Sequence, residues 1–140
     1  MRYVRGQAAV EFLAVVAFFL LVTIPLFAYF MIAAPQKEYY ASLSQAEVAA
    51  SEFVRYGELV GTQSNGTNIT RVIVLPKYVS KINMSGDRVY LLVEFADLST
   101  HVIRKGSVNF SSTEIEVPGG GTYAFTFVNI NGDVNVSRVR

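Results

Sequence analysis

The chain has no cysteine and a single histidine. The first absence excludes disulfide stapling and thiol chemistry, so stability has to come from burial and assembly. The second leaves His101 without another imidazole or a thiolate to build a metal site, and its expected place is a short surface strand. Charge of one sign is missing too: 12 Lys and Arg stand against 11 Asp and Glu, a formal +1, with no basic stripe. That excludes a nucleic-acid partner. No constellation puts a nucleophile beside a general base, so the sequence predicts a protein that is not an enzyme and needs no cofactor. Gly119-Gly120-Gly121 lacks the lysine and following helix of a phosphate loop and is expected to be a flexible hairpin loop. Glu114 and Glu116, beside Ser112 and Thr113, are expected on a solvated strand face. Asp87, Asp97 and Asp133 sit beside turns without EF-hand spacing, which leaves calcium between loops open but not required.

What the sequence does have is a long apolar run. From Phe12 to Ala34 there are 23 residues without a charge. At about 1.5 Å per residue this makes a helix of roughly 35 Å, enough to cross a bilayer core. An ordinary secretory signal has a shorter apolar core and a small-residue cleavage site after it. Here Ala33-Ala34 runs into Pro35, and the one glycine near the junction, Gly6, precedes the run. Arg2 and Arg5 also precede it, so the positive-inside rule keeps the N-terminus cytoplasmic and faces the rest outward. Glu11 is a carboxylate in the first turns of the helix with no positive residue downstream within a turn. At bilayer depth such a group costs on the order of 2.5–3.5 kcal/mol, so it needs an interfacial position or a partner. A cut between Gly6 and Gln7 would free an α-amine four residues from Glu11, able to pair with it within one chain or between chains.

Arg5-Gly6-Gln7, then Glu11-Phe12-Leu13 and an apolar helix, resembles the class III signal peptide of archaeal type IV pilin-like proteins. The Ala8-Ala9-Val10-Glu11-Phe12 segment is also similar to tight-adherence pseudopilins. The family often has Ser two residues after the Gln, where this chain has Ala9. The resemblance implies that a prepilin peptidase cuts between Gly6 and Gln7. It implies that the apolar helix is retained as a filament core and that Glu11 is the docking carboxylate. An assembly ATPase and a membrane platform protein would drive extrusion of the homopolymer. Loss of Arg2 and Arg5 would take the formal charge from +1 to −1. The expected organisation is a leader at 1–6, a long helix at 7–60 and an outward-facing β-domain at 61–140. Within the helix, 7–34 would be membrane-spanning before assembly and 35–60 amphipathic.

Pro25 interrupts the apolar run and Pro35 ends it, and both are expected to kink the helix. Beyond them Tyr39, Leu43, Ala46, Ala50, Phe53 and Val60 form a stripe at helical spacing that should cover a β-domain. Glu52 and Arg55 are expected to make an i,i+3 pair. Residues 61–68 are rich in Gly, Thr, Ser and Asn and end the helix. The period then changes to two. Strands are expected at 71–75, 78–82, 89–95, 100–104, 108–110, 115–117, 122–130 and 134–139. Ser85-Gly86-Asp87 is read as a turn and Asn131-Gly132 as a tight hairpin. The fold class is therefore α+β, a long N-terminal apolar helix followed by a small antiparallel β-sandwich.

Five Asn-x-Ser/Thr acceptors fall in the β-region and none in the helix: Asn65, Asn68, Asn83, Asn109 and Asn135. Chance pairing predicts about one, so the excess suits a glycosylated outer surface. The reading is a cell-surface pilin of an adhesive filament. The alternatives are a minor pseudopilin, or a signal-anchored domain that binds carbohydrate or cell-wall material and keeps Met1–Gly6.

Overall fold

The computed structural model describes residues 2–139, and the side chains of 7–34 and 36–139. A single helix, α1, spans Arg2–Gly61. Its backbone stays helical through Pro25 and Pro35, so neither proline ends it. The chain divides into two units, one up to Glu38 and one from Tyr39. In the first unit every described residue from Gln7 to Ile32 is exposed. The second unit contains the C-terminal part of α1 and all the strands, so the folded head begins well before the end of the helix.

Five strands follow: β1 (Asn68–Leu75), β2 (Val79–Phe95), β3 (Leu98–Glu116), β4 (Gly121–Ile130) and β5 (Asp133–Arg138). They form one sheet in the order β1-β4-β5-β3-β2. All neighbours are antiparallel except β3 and β5, which run parallel where Asn109–Phe110 face Asp133–Val134. The expected antiparallel sandwich is thus corrected to a single mixed sheet. The alternation of inward and outward residues is the same in both architectures. What differs is the covering layer, which here is α1, as its stripe requires.

The eight short strands become five because three expected interruptions, at 83–88, 105–107 and 111–114, are absorbed into β2 and β3. Ser85-Gly86-Asp87 is not a turn but an irregular point within β2, with register shifts on both sides of Gly86. Gly86 has φ +59°, a backbone region that glycine enters without steric cost. Opposite it, Phe110 and Lys105 face Gly86 and Arg88, so β3 carries the extra residues. Bulges of this kind bend and twist a strand pair. The buried side of β2 accordingly switches from Ile82 and Met84 to Val89, Leu91 and Val93. The bend is large enough that the Glu94 amide donates to the Tyr78 carbonyl at 2.8 Å, so β2 returns toward its own start. There Tyr78 meets Phe95 edge-on, with ring centroids 4.7 Å apart.

The core lies between α1 and the sheet. Ala46, Ala49, Ala50, Phe53 and Val60 supply the helix side, with Tyr39 and Leu43 packed at its margin. Phe53 is fully buried and stacks edge-on against Phe125, with centroids 4.8 Å apart. Burying a side chain of that size contributes about 1.5–3 kcal/mol. Gly57 lets the bent part of β3 approach, because a Cβ there would run into the Phe110 ring. Glu58 fixes the same contact by accepting from the Ser107 amide at 2.8 Å and its hydroxyl at 2.9 Å. The Glu52–Arg55 pair is not formed among the described residues. The Arg55 guanidinium lies instead 5.9 Å from the centre of the Tyr56 ring, and Arg71 reaches the same ring at 5.7 Å.

The Asn131-Gly132 hairpin is present as expected, with both residues at positive φ (56° and 96°). The glycine stretch is neither a hairpin nor loose. It carries the chain from β3 over β5 to β4, with the Gly120 amide on the Lys77 carbonyl at 3.2 Å and the Tyr123 hydroxyl on the Gly119 carbonyl at 2.8 Å.

Candidate functional sites

The N-terminal unit is an apolar helix whose described residues from Gln7 to Ile32 are all exposed. Phe12, Phe18, Leu21 and Ile32 are 67–70% exposed. Helix α1 is long and apolar enough to cross a membrane, and none of its most apolar window is buried within the chain. A membrane-anchored precursor is consistent with this. Uncovered apolar surface on this scale is not stable in water and has to meet lipid or protein. Glu11 is exposed, and it accepts a hydrogen bond from the Gln7 side-chain amide at 3.3 Å. The i,i+4 spacing that would bring a freed Gln7 amine to Glu11 already brings the neutral amide there. Gly6 belongs to the helical backbone of α1, while the side chains of Arg2 and Arg5 lie outside the described residues. So does the Pro35 side chain. Pro25 is exposed on the helix.

The acceptor asparagines all reach the surface. Asn65, Asn68, Asn83 and Asn109 are exposed and Asn135 is half-buried. The reason is strand alternation. In Asn83-Met84-Ser85, Asn109-Phe110-Ser111 and Asn135-Val136-Ser137 the central residue is buried in the core, at 3% exposure or less. The residues on either side therefore project together from the opposite face. Asn68-Ile69-Thr70 follows the same rule, with Ile69 packed against the core. Asn65 precedes Gly66 in the turn before β1. Its side chain pins the Asn131 turn, donating to Asn131 Oδ1 at 3.0 Å and accepting from the Asn131 amide at 2.9 Å.

Polar groups elsewhere form structural pairs. Lys81 bridges Glu114 at 3.0 Å and Glu116 at 3.3 Å across the β2–β3 pair. The hydrogen bond to Glu114, reinforced by Glu116, raises the Lys81 pKa above its ordinary value. Asp87 sits beside the β2 bend with Lys105 at 3.1 Å and Arg88 at 3.6 Å. The Lys105 hydrogen bond holds its carboxyl below the usual carboxylate range. Among the described residues, no three His, Cys, Asp or Glu side chains are grouped to hold a metal ion. His101 is exposed on β3, on the outer face of the hairpin.

One residue that sequence reasoning passed over is Asn129. It is buried at 3% exposure, and its Nδ2 faces the carbonyls of Val60 (3.3 Å), Gly61 (3.4 Å) and Gln63 (2.8 Å) at the end of α1. Its Oδ1 accepts from the Gly132 amide at 2.9 Å. It thus caps the helix and ties the β4–β5 hairpin to it. The only sequence signal was an asparagine outside any acceptor triplet, in a strand position where a polar residue should not be buried.

No protein-family model, no curated protein and no solved structure matches the chain.

Proposed function

We propose that the chain is the structural subunit of an archaeal type IV-like adhesive pilus. Residues 1–6 are removed by a prepilin peptidase, and the subunit waits in the membrane on residues 7–34. An ATPase and a platform protein then move it into a helical homopolymer. The role is mechanical, not catalytic. The single observation that carries this reading is the contrast between the two units. The described core of the head draws on residues from Tyr39 onward, while every described residue from Gln7 to Ile32 is exposed. A helix built in this way is a binding element for lipid at one stage and for copies of itself at another.

Moving such a helix from lipid into a bundle is nearly neutral in hydrophobic terms, since lipid tails are as apolar as leucine. Packing and the pairing of Glu11 with a freed Gln7 amine have to supply the preference. Contacts between non-equivalent faces do not close and so extend into a filament. The outward acceptor asparagines fit a head exposed to the medium and carrying glycan.

The test is the N-terminal sequence and intact mass of protein sheared from the cell surface. The expected result is a start at Gln7 with a free amine and added mass on peptides containing the acceptor asparagines. A start at Met1, or protein confined to membranes, would leave a signal-anchored surface domain in place of a filament subunit. Complete loss of ammonia from the Gln7 peptide would remove the amine–Glu11 pairing.

A further inference from the structure

Asn83 lies on the rim of a cleft of about 410 Å³ on the outer face of the β2–β3 hairpin, shared with Lys81, Tyr90, Leu92, His101 and Glu114. The irregular point at Gly86 creates this cleft, because it brings the outward residues of the first half of β2 (Lys81, Asn83) up to those of the second half (Tyr90, Leu92). The volume falls within the range of about 300–1,000 Å³ typical of small-ligand sites. Its lining mixes two kinds of surface. Tyr90 and Leu92 are half-buried and offer an apolar floor. The Lys81–Glu114 ion pair, the His101 imidazole and the Tyr90 hydroxyl offer donors and acceptors around it. That is the chemistry of a pyranose, whose C–H face packs on an aromatic ring while its hydroxyls take part in directional hydrogen bonds.

We propose that this cleft seats the first sugars of a glycan carried on Asn83. The inference rests on the reading of the acceptor triplets as glycosylated. An own glycan is favoured over a free sugar by the openness of the site. An open cleft binds free carbohydrate weakly, whereas a short covalent tether holds its occupant at an effective concentration in the millimolar range, where weak contacts suffice. The seated sugars cover the β2 bend and the Lys81–Glu114–Glu116 bridges from solvent.

The experiment uses full-length protein from its native host, extracted in detergent. Glycopeptide mass analysis follows the periodate oxidation of the sugar nearest Asn83, in folded and in denatured protein. The expected result is oxidation at least about fivefold slower in the folded protein, the protection a tethered contact gives. Tyr90→Ala should abolish the protection and leave occupancy of Asn83 unchanged, while Tyr90→Phe, which keeps the ring, should retain it. If Tyr90→Ala lowers the thermal midpoint, the exposed His101→Ala serves in its place and should weaken the protection. Equal rates in folded and denatured protein, protection unaffected by these variants, or an unmodified Asn83 would each overturn the proposal. The same digest reports the N-terminal residue. A start at Met1 with a protected Asn83 glycan would sink the filament reading and leave this one standing.

Discussion

Asn129 shows how much one side chain contributes when its amide faces the end of a helix. The carbonyls at the end of α1 run out of helical partners, and those of Val60 and Gly61 face a donor on the sheet. Asn129 supplies that donor and closes its own acceptor on Gly132. Asn129→Ala should destabilise the head by about 1–3 kcal/mol, because it removes the bonds to the carbonyls of Val60, Gly61 and Gln63 and to the Gly132 amide. Chemical denaturation of the full chain in detergent would read this, and a change near zero would mean that water replaces the amide. Ala96 makes the opposite case. It holds φ +50° in the two-residue connection between β2 and β3. A non-glycine residue in that region costs about 1–2 kcal/mol, and glycine's own entropy returns part of the gain. Ala96→Gly should therefore stabilise the hairpin by about 0.5–1 kcal/mol in the same assay.

Beyond the core, α1 and the sheet also meet where β2 and β3 bend. Gly106 to Phe110 press onto α1 at Val54, Gly57 and Glu58, and on the solvent side Asp87 faces Lys105 and Arg88. Asp87 has a lowered pKa in the fold. Its contribution is therefore present above the ordinary carboxylate value of about 3.9 and is lost as pH falls through the depressed value. Lys81, raised by Glu114 and Glu116, contributes below about pH 10.4 and loses its contribution as pH rises through its raised value. Thermal midpoints should therefore hold steady near neutrality and fall at both extremes. Asp87→Asn should lower the midpoint at pH 7 and flatten the acid limb. An unchanged acid limb would assign acid sensitivity to other carboxylates.

At the scale of the whole molecule, the proposed filament role predicts that folding and assembly use separate halves of α1. The head folds on Tyr39–Gly61, so changes in the apolar half should alter assembly without altering the head. Glu11→Ala is expected to leave membrane insertion intact, since it removes a charge that is costly in lipid. It is expected to reduce sheared surface filament at least about tenfold, by removing the group that distinguishes one helix register from another. Comparing membrane and sheared fractions by immunoblot checks this, and parental filament levels would show the carboxylate to be dispensable.

By itself the sequence determined the apolar span, the amphipathic stripe that follows it, the end of the helix near Gly61, and the Asn131-Gly132 hairpin. These depend on composition and on neighbours a few residues apart, and the period of the pattern reports them directly. The outward side of the strand acceptor asparagines came instead from the observed strands, in which each flanks a residue packed in or against the core. Only the tertiary structure decided that one mixed sheet replaces two packed sheets, since a half-buried strand looks the same under a helix as under another sheet. It alone joined the expected short strands through Gly86 and Gly106, because an irregular point and a turn share the same residues until the register across the pair is known. Asn129 belongs here as well. Its partners at the helix end are 66–69 residues away. No local pattern encodes a hydrogen bond that only the packing of β4 against α1 brings into reach.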